Sequence, residues 1–168
     1  MTKAPEERTL SDDDFDAQSL HFAAIGSVAS EWAWFDQWVD FKTIEIAKVP
    51  AEVGICITSQ ISGSARKLDA YIAPARHLGA KKALPKLNAF ANTTTALAER
   101  RKRVVHDPWV LDNDTRVAAR LEATARKALR FLTVPVGTAE IAKLSVEIAE
   151  HINNFDAIHA SVLAELSS

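Results

Sequence analysis

The chain has 168 residues, 48% of them apolar and 25% charged, with a formal net charge of −2. That balance is ordinary for a soluble globular protein, and the length suits one domain with a core of its own. No apolar run approaches the length that spans a bilayer, and a single cysteine, Cys56, excludes a disulfide framework within the chain.

Residues 1–14, MTKAPEERTLSDDD, are polar and acidic and lack the apolar core of a signal peptide. They are expected as a disordered or frayed lead-in to one helical-bundle domain over 15–168. With the unpaired cysteine they point to a cytoplasmic, reducing setting.

Five glycines and six prolines favour long helices over many short strands. The first helical pattern runs from about Phe15 to Lys48. One stripe holds Ile25, Val28, Trp32, Phe35, Val39 and Ile46; a second holds Trp34, Trp38 and Phe41. A helix with two apolar faces must bury both, either by sitting centrally in the bundle or by meeting another subunit. A small bundle has few central positions, which favours a homodimer interface on the Trp34/Trp38/Phe41 face. Pro50 suits the first turn of a second helix over 51–73, with Val53, Ile57, Ile61, Ala65, Leu68 and Ile72 inward. The stretch PARHLGA, 74–80, reads as a basic loop.

Pro85 opens a third helix with Leu87, Phe90, Thr94, Leu97, Arg101 and Val104 on one face. Pro108 disfavours helix at Asp107, so this helix should stop at His106. Residues 112–136 are ambiguous: RVAARLEATARKALRFL has helix propensity, yet Val117, Ala119, Leu121 and Ala123 alternate and LRFLTVPV reads as strand. After Gly137, Thr138 is placed to cap a last helix to Leu166, with Ile141, Leu144, Ile148, Ile152, Phe155, Ile158 and Leu163 or Leu166 inward.

Charge is unevenly distributed along these elements. Residues 1–65 carry −7, residues 66–130 carry +9, and residues 131–168 carry −4. Two readings stand: acidic helices neutralise the basic segment within the fold, or the basic segment faces a polyanion.

The densest charge is ERRKRVVHDPW, Glu99 to Trp109. Arg101 falls among apolar stripe positions, where a cation must be paired, bound to an anion or led to water along its stem. Arg100, Lys102 and Arg103 project elsewhere and read as phosphate-binding or solvated cations. His106 lies in the last turn, where the helix dipole favours a protonated ring, and the adjacent Asp107 is placed to orient it. An arginine and a histidine five residues apart can flank one phosphate, the first neutralising charge and the second moving a proton.

Arg101-Lys102-Arg103-Val104-Val105-His106 resembles the signature of HEPN domains, and the likeness extends over about residues 20–166. Arg66-Lys67-Leu68 matches a lysine-bearing stretch on the second helix. Trp109 matches an aromatic after the histidine, and Arg116–Thr133, Pro135-Val136 and 138–166 match a charged extended region, a "PV" and a last helix. Lys102 stands where that family prefers asparagine or another small polar residue. The resemblance implies a mainly α, up-and-down bundle of four to five helices with an extended segment or short β-hairpin within 112–136. It further implies a dimer whose motif helices meet at a cleft, and in active members a metal-independent ribonuclease without a cofactor. Arg101 would bind the scissile phosphate and His106 would activate the ribose 2′-hydroxyl or protonate the leaving oxygen. Other members are noncatalytic partners of other proteins, so the alternative is an interaction or scaffold protein whose basic helix is structural.

Other candidates are weaker. Glu147, His151, Asp156 and His159 lack matching carboxylates on other helices and read as solvated helix faces, so no metal is expected. Cys56 reads as a small buried hydrophobe, His21 and His77 as structural or surface residues, and Trp32, Trp34 and Trp38 as core or interface packing.

Overall fold

A computed structural model describes residues 12–111, 117–124 and 130–168. The expected lead-in over 1–11 lies outside the described residues; the remainder of that stretch is already helix. Helix α1 spans Asp12–Ala47 and buries Val28, Trp32, Phe35, Val39 and Ile46 as the stripe predicts. It ends at Lys48, which takes φ +53°, and the residue before Pro50 cannot resume a helix.

The second predicted helix is two. Helix α2 covers Ala51–Thr58, and α3 covers Ser64–Leu78. Gly63, at φ +89°, separates them with a backbone that disfavours any side chain. The break corrects the stripe: Val53 and Ile57 are about half exposed, and α2 instead turns Gly54 and Thr58 inward. Cys56, expected inside, is exposed on the same helix. The stretch 74–80 is also corrected. Helix α3 continues through Pro74, held by the burial of Tyr71, Ile72 and Ala75, and stops at Gly79, φ +104°. Ala80 N–H closes that end on the Ala75 carbonyl at 3.0 Å.

Helix α4 spans Leu84–His106, with Pro85 in its first turn and Asp107 extended at ψ 143° before Pro108. The Glu165 carboxylate accepts from Lys82 N and Ala83 N at 2.8 and 3.0 Å, tying the approach to α4 to the end of the chain. Three antiparallel strands follow in the order β1-β2-β3: Trp109–Leu111, Ala118–Thr124 and Arg130–Pro135. Within the ambiguous 112–136, helix propensity is therefore overridden at Ala118–Thr124 and Arg130–Pro135. Pro108 forces an extended exit from α4, and its carbonyl accepts the Leu121 N–H at 2.8 Å, so β2 pairs along an edge already laid down.

Helix α5, Thr138–Leu166, buries Ile141, Leu144, Ile148, Ile152, Phe155 and Ile158 as expected, and Val162 rather than Leu163 at its end. Its N-cap is Gly137, and Thr138 makes no cap; its hydroxyl instead meets His21 Nδ1 at 3.1 Å. Helices α1 and α5 form the longest contact of the bundle, with α3 and α4 packed beside α1. The core is mainly α with a small sheet at one end, and among the described residues no helix is long and apolar enough to cross a membrane.

Several buried polar groups are matched across this core. His151 stacks on Phe90 with ring centres 3.9 Å apart and meets the Thr94 hydroxyl at 2.7 Å. His159 meets Tyr71 Oη at 2.8 Å and Glu45 at 3.1 Å, and Trp38 Nε1 donates to Asp156 at 2.7 Å.

Candidate functional site: a cationic cleft at the end of α4

The last two turns of α4 divide the basic run between two faces. Arg101, half-buried, and Lys102, exposed, share a face with Ala98. Arg101 Nη1 lies 3.0 Å from His106 Nε2. The fifth residue onward is within reach because α4 ends there, leaving the imidazole free to fold back along the helix.

These side chains line a cleft of about 370 Å³ that the sequence alone does not bring together. Helix α1 contributes Trp32 and Asp36, and the start of α3 contributes Gly63 and Ser64. No side chain caps α3, so its first-turn N–H groups are left for an acceptor from outside. Asp36 Oδ1 is buried without a partner, as is Arg101 Nε. Burial pushes the Asp36 carboxyl pKa up; Lys67 opposes this, Asp40 adds to it, and Arg101 opposes it. Lys67 itself donates to Asp40 at 2.5 Å and to the Asp36 carbonyl at 3.3 Å. Among the described residues no ion pair joins Arg101 to a carboxylate.

The other predicted site residues go elsewhere. Arg100 is paired with Glu147 on α5, whose carboxyl pKa the Arg100 hydrogen bond lowers. Arg103 bonds Glu122 on β2 at 3.0 Å. Asp107, placed by sequence beside the imidazole, turns its carboxylate to Arg120 at 3.5 Å. Arg120 is buried and also meets Glu122 at 3.4 Å. Arg100, Arg103 and Arg120 are thus paired with carboxylates of the chain, only Arg100 with one from an acidic flanking helix, and Arg101 is not. Trp109 supports the end of the helix from outside the cleft, donating Nε1–H to the Val104 carbonyl at 2.9 Å.

Asp36 and the start of α3 are the members that sequence reasoning missed. Asp36 carried a signal: it lies four residues after Trp32 and four before Asp40 on α1. Glu147, His151, Asp156 and His159 are each engaged separately, and among the described residues no three metal-ligating side chains gather. No protein-family model matches the chain, and neither does any curated protein or solved structure.

Proposed function

We propose that this chain is a HEPN-like protein that binds RNA or nucleotide phosphate at the Arg101–His106 cleft and cleaves RNA there without a metal. The observation that carries the reading is the 3.0 Å contact between Arg101 Nη1 and His106 Nε2. A guanidinium can only donate, so Nε2 accepts and the ring proton sits on Nδ1. An incoming phosphate competes for the guanidinium and takes two of its N–H groups. Nε2 is then released to accept the ribose 2′-hydroxyl proton while that oxygen attacks phosphorus. The P–O5′ bond breaks, a 2′,3′-cyclic phosphate remains, and the leaving oxygen takes a proton from the ring or from water. Lys102 and the uncapped start of α3 add positive potential around the same phosphate. The proposed assembly is a homodimer through the Trp34/Trp38/Phe41 face or through the motif helix.

A second reading has its own observation. Arg100, Arg103 and Arg120 are all tied to carboxylates within the chain, which favours a noncatalytic interaction protein whose basic helix is structural. Titrating a short single-stranded RNA at low salt separates the two. Under the first reading Arg101→Gln weakens binding by about tenfold or more, the scale of one charged hydrogen bond, and Arg103→Gln does much less. Equal losses in both variants, or no binding by wild type, would leave the second.

A further inference from the structure

Asp36 enters the cationic cleft from α1, whereas Arg101, Lys102 and His106 enter it from α4. Among the described residues its carboxyl forms no ion pair and no hydrogen bond. Lys67, the cation beside it, donates to Asp40 at 2.5 Å and to only the backbone carbonyl of Asp36, at 3.3 Å. Arg101 turns Nη1 to His106 instead. A scaffold residue that is half-buried would be expected to have its polar atoms bonded, and this one does not. Cleavage in the same cleft also leaves a need unmet: the departing oxygen requires a proton.

The two carboxyl oxygens differ. Oδ1 is enclosed, so no ligand reaches it. Oδ2 is not among the enclosed atoms and is the oxygen open to the cleft that Asp36 lines. A bare, enclosed oxygen makes the ionised carboxylate costly, and a neutral carboxyl with its hydroxyl on Oδ2 less so. Burial accordingly pushes the Asp36 pKa up; Lys67 on α3 and Arg101 on α4 oppose this, and Asp40 on α1 adds to it. Lys102 and His106 complete the titratable groups of the cleft. Substrate binding strengthens the rise. A phosphodiester occupies Arg101, which had favoured the carboxylate, and brings a like charge beside it. Binding the group to be cleaved therefore keeps the proton on the carboxyl.

We propose that Asp36 is the general acid of this cleft, protonating the 5′ oxygen as His106 Nε2 removes the proton of the 2′-hydroxyl. The assignment rests on the ribonuclease reading above. The O2′–P bond forms and the P–O5′ bond breaks. The 2′ proton ends on Nε2 and the Asp36 proton on O5′, leaving an imidazolium and a carboxylate that exchange back through solvent. In-line displacement puts the entering and leaving oxygens on opposite sides of phosphorus, and a base from α4 with an acid from α1 suits that arrangement.

The test follows two substrates over pH with the full chain. One is a short single-stranded RNA, whose leaving alkoxide needs a proton; the other is uridine 3′-(4-nitrophenyl phosphate), whose nitrophenoxide leaves without one. For wild type, RNA cleavage should rise and then fall with pH, because the acid must stay protonated, and ester cleavage should rise to a plateau. Asp36→Asn should lower RNA cleavage by about a hundredfold or more, lower ester cleavage far less, and remove the fall. His106→Ala should lose both activities. The wild-type profiles alone decide the matter if Asp36→Asn does not fold. A fall that persists with the ester overturns the assignment. So does undiminished RNA cleavage by Asp36→Asn, or an equal loss on both substrates in a folded variant. Those outcomes leave the ribonuclease reading standing, whereas cleavage of neither substrate by wild type removes it and the acid together.

Discussion

Arg101 and His106 were legible as a pair because both constraints on them are local. The apolar stripe of α4 puts a cation where it must find a reason to be, and Pro108 ends the helix so that the imidazole can turn back. What the string of cations could not reveal is its division. Arg100 and Arg103 lie three apart and face α5 and β2, while Arg101 and Lys102 face α1 and α3. Their partners Glu147 and Glu122 are far away in sequence, so only the packing of α4 decides which cation is neutralised. Asp107 misled for a related reason: adjacency to His106 said nothing about Arg120 crossing from β2. The difference is measurable at this scale. The log–log salt slope of RNA binding should fall by about one for Arg101→Gln, as for the loss of one phosphate contact, and stay near wild type for Arg103→Gln. An unchanged slope in Arg101→Gln would contradict its role.

Among elements, the helices with a rich apolar period, α1, α4 and α5, were legible nearly to the residue. The errors fall where period and punctuation disagreed. In 51–73 an apolar period continued across Ser62-Gly63, but the positive φ at Gly63 reset the helix phase and turned Val53 and Ile57 outward. At Pro74 the opposite happened: tertiary burial of Tyr71 and Ala75 outweighed the loss of one helical hydrogen bond. At Ala118–Thr124 local propensity favoured helix, and the edge of β1 made strand the better solution. The resemblance of the surrounding layout, rather than propensity, pointed that way. The second stripe of α1 has a mixed fate. Trp38 is held against α5 by Asp156 and lies under Lys42 Nζ, 4.9 Å from the ring centre. Trp34, stacked on it, is 52% exposed and Phe41 is 40% exposed, so the outer part of the stripe is where the proposed second copy would pack. Sedimentation velocity should therefore give a dimer for wild type and a monomer for Trp34→Glu. A wild-type monomer, or a dimer indifferent to that substitution, would remove this face from the assembly.

For the whole molecule, the −7, +9, −4 pattern of charge is bridged between segments by Lys67–Asp40 and Arg100–Glu147, whereas Arg103–Glu122 and Arg120–Asp107 pair within the basic segment itself. The buried histidines add a dependence on pH. Burial pushes the His151 pKa down to about 4, and burial also lowers those of His21 and His159, against the pull of Glu45 on the latter. For groups of this kind the unfolded chain takes up protons, near pH 6.5, before the folded one does. Their contribution is complete above about pH 6.5 and is lost as pH falls toward 4. For His151 it amounts to at most about 3 kcal/mol. Urea unfolding at about pH 7 and about pH 4.5 should show that fall, and His151→Gln should flatten it. A stability that is level over this interval would contradict the buried, neutral state of the ring.

The most direct test of the central claim is cleavage of a mixed RNA pool at low salt without added metal, by wild type and by His106→Ala. The account predicts fragments ending in 2′,3′-cyclic phosphate from wild type and none from the variant, whose cleft keeps Arg101 but has lost the group that moves the proton. Equal background from the two proteins would contradict it. Arg101 and His106 would then be parts of a binding surface, and the basic helix a structural element of the bundle.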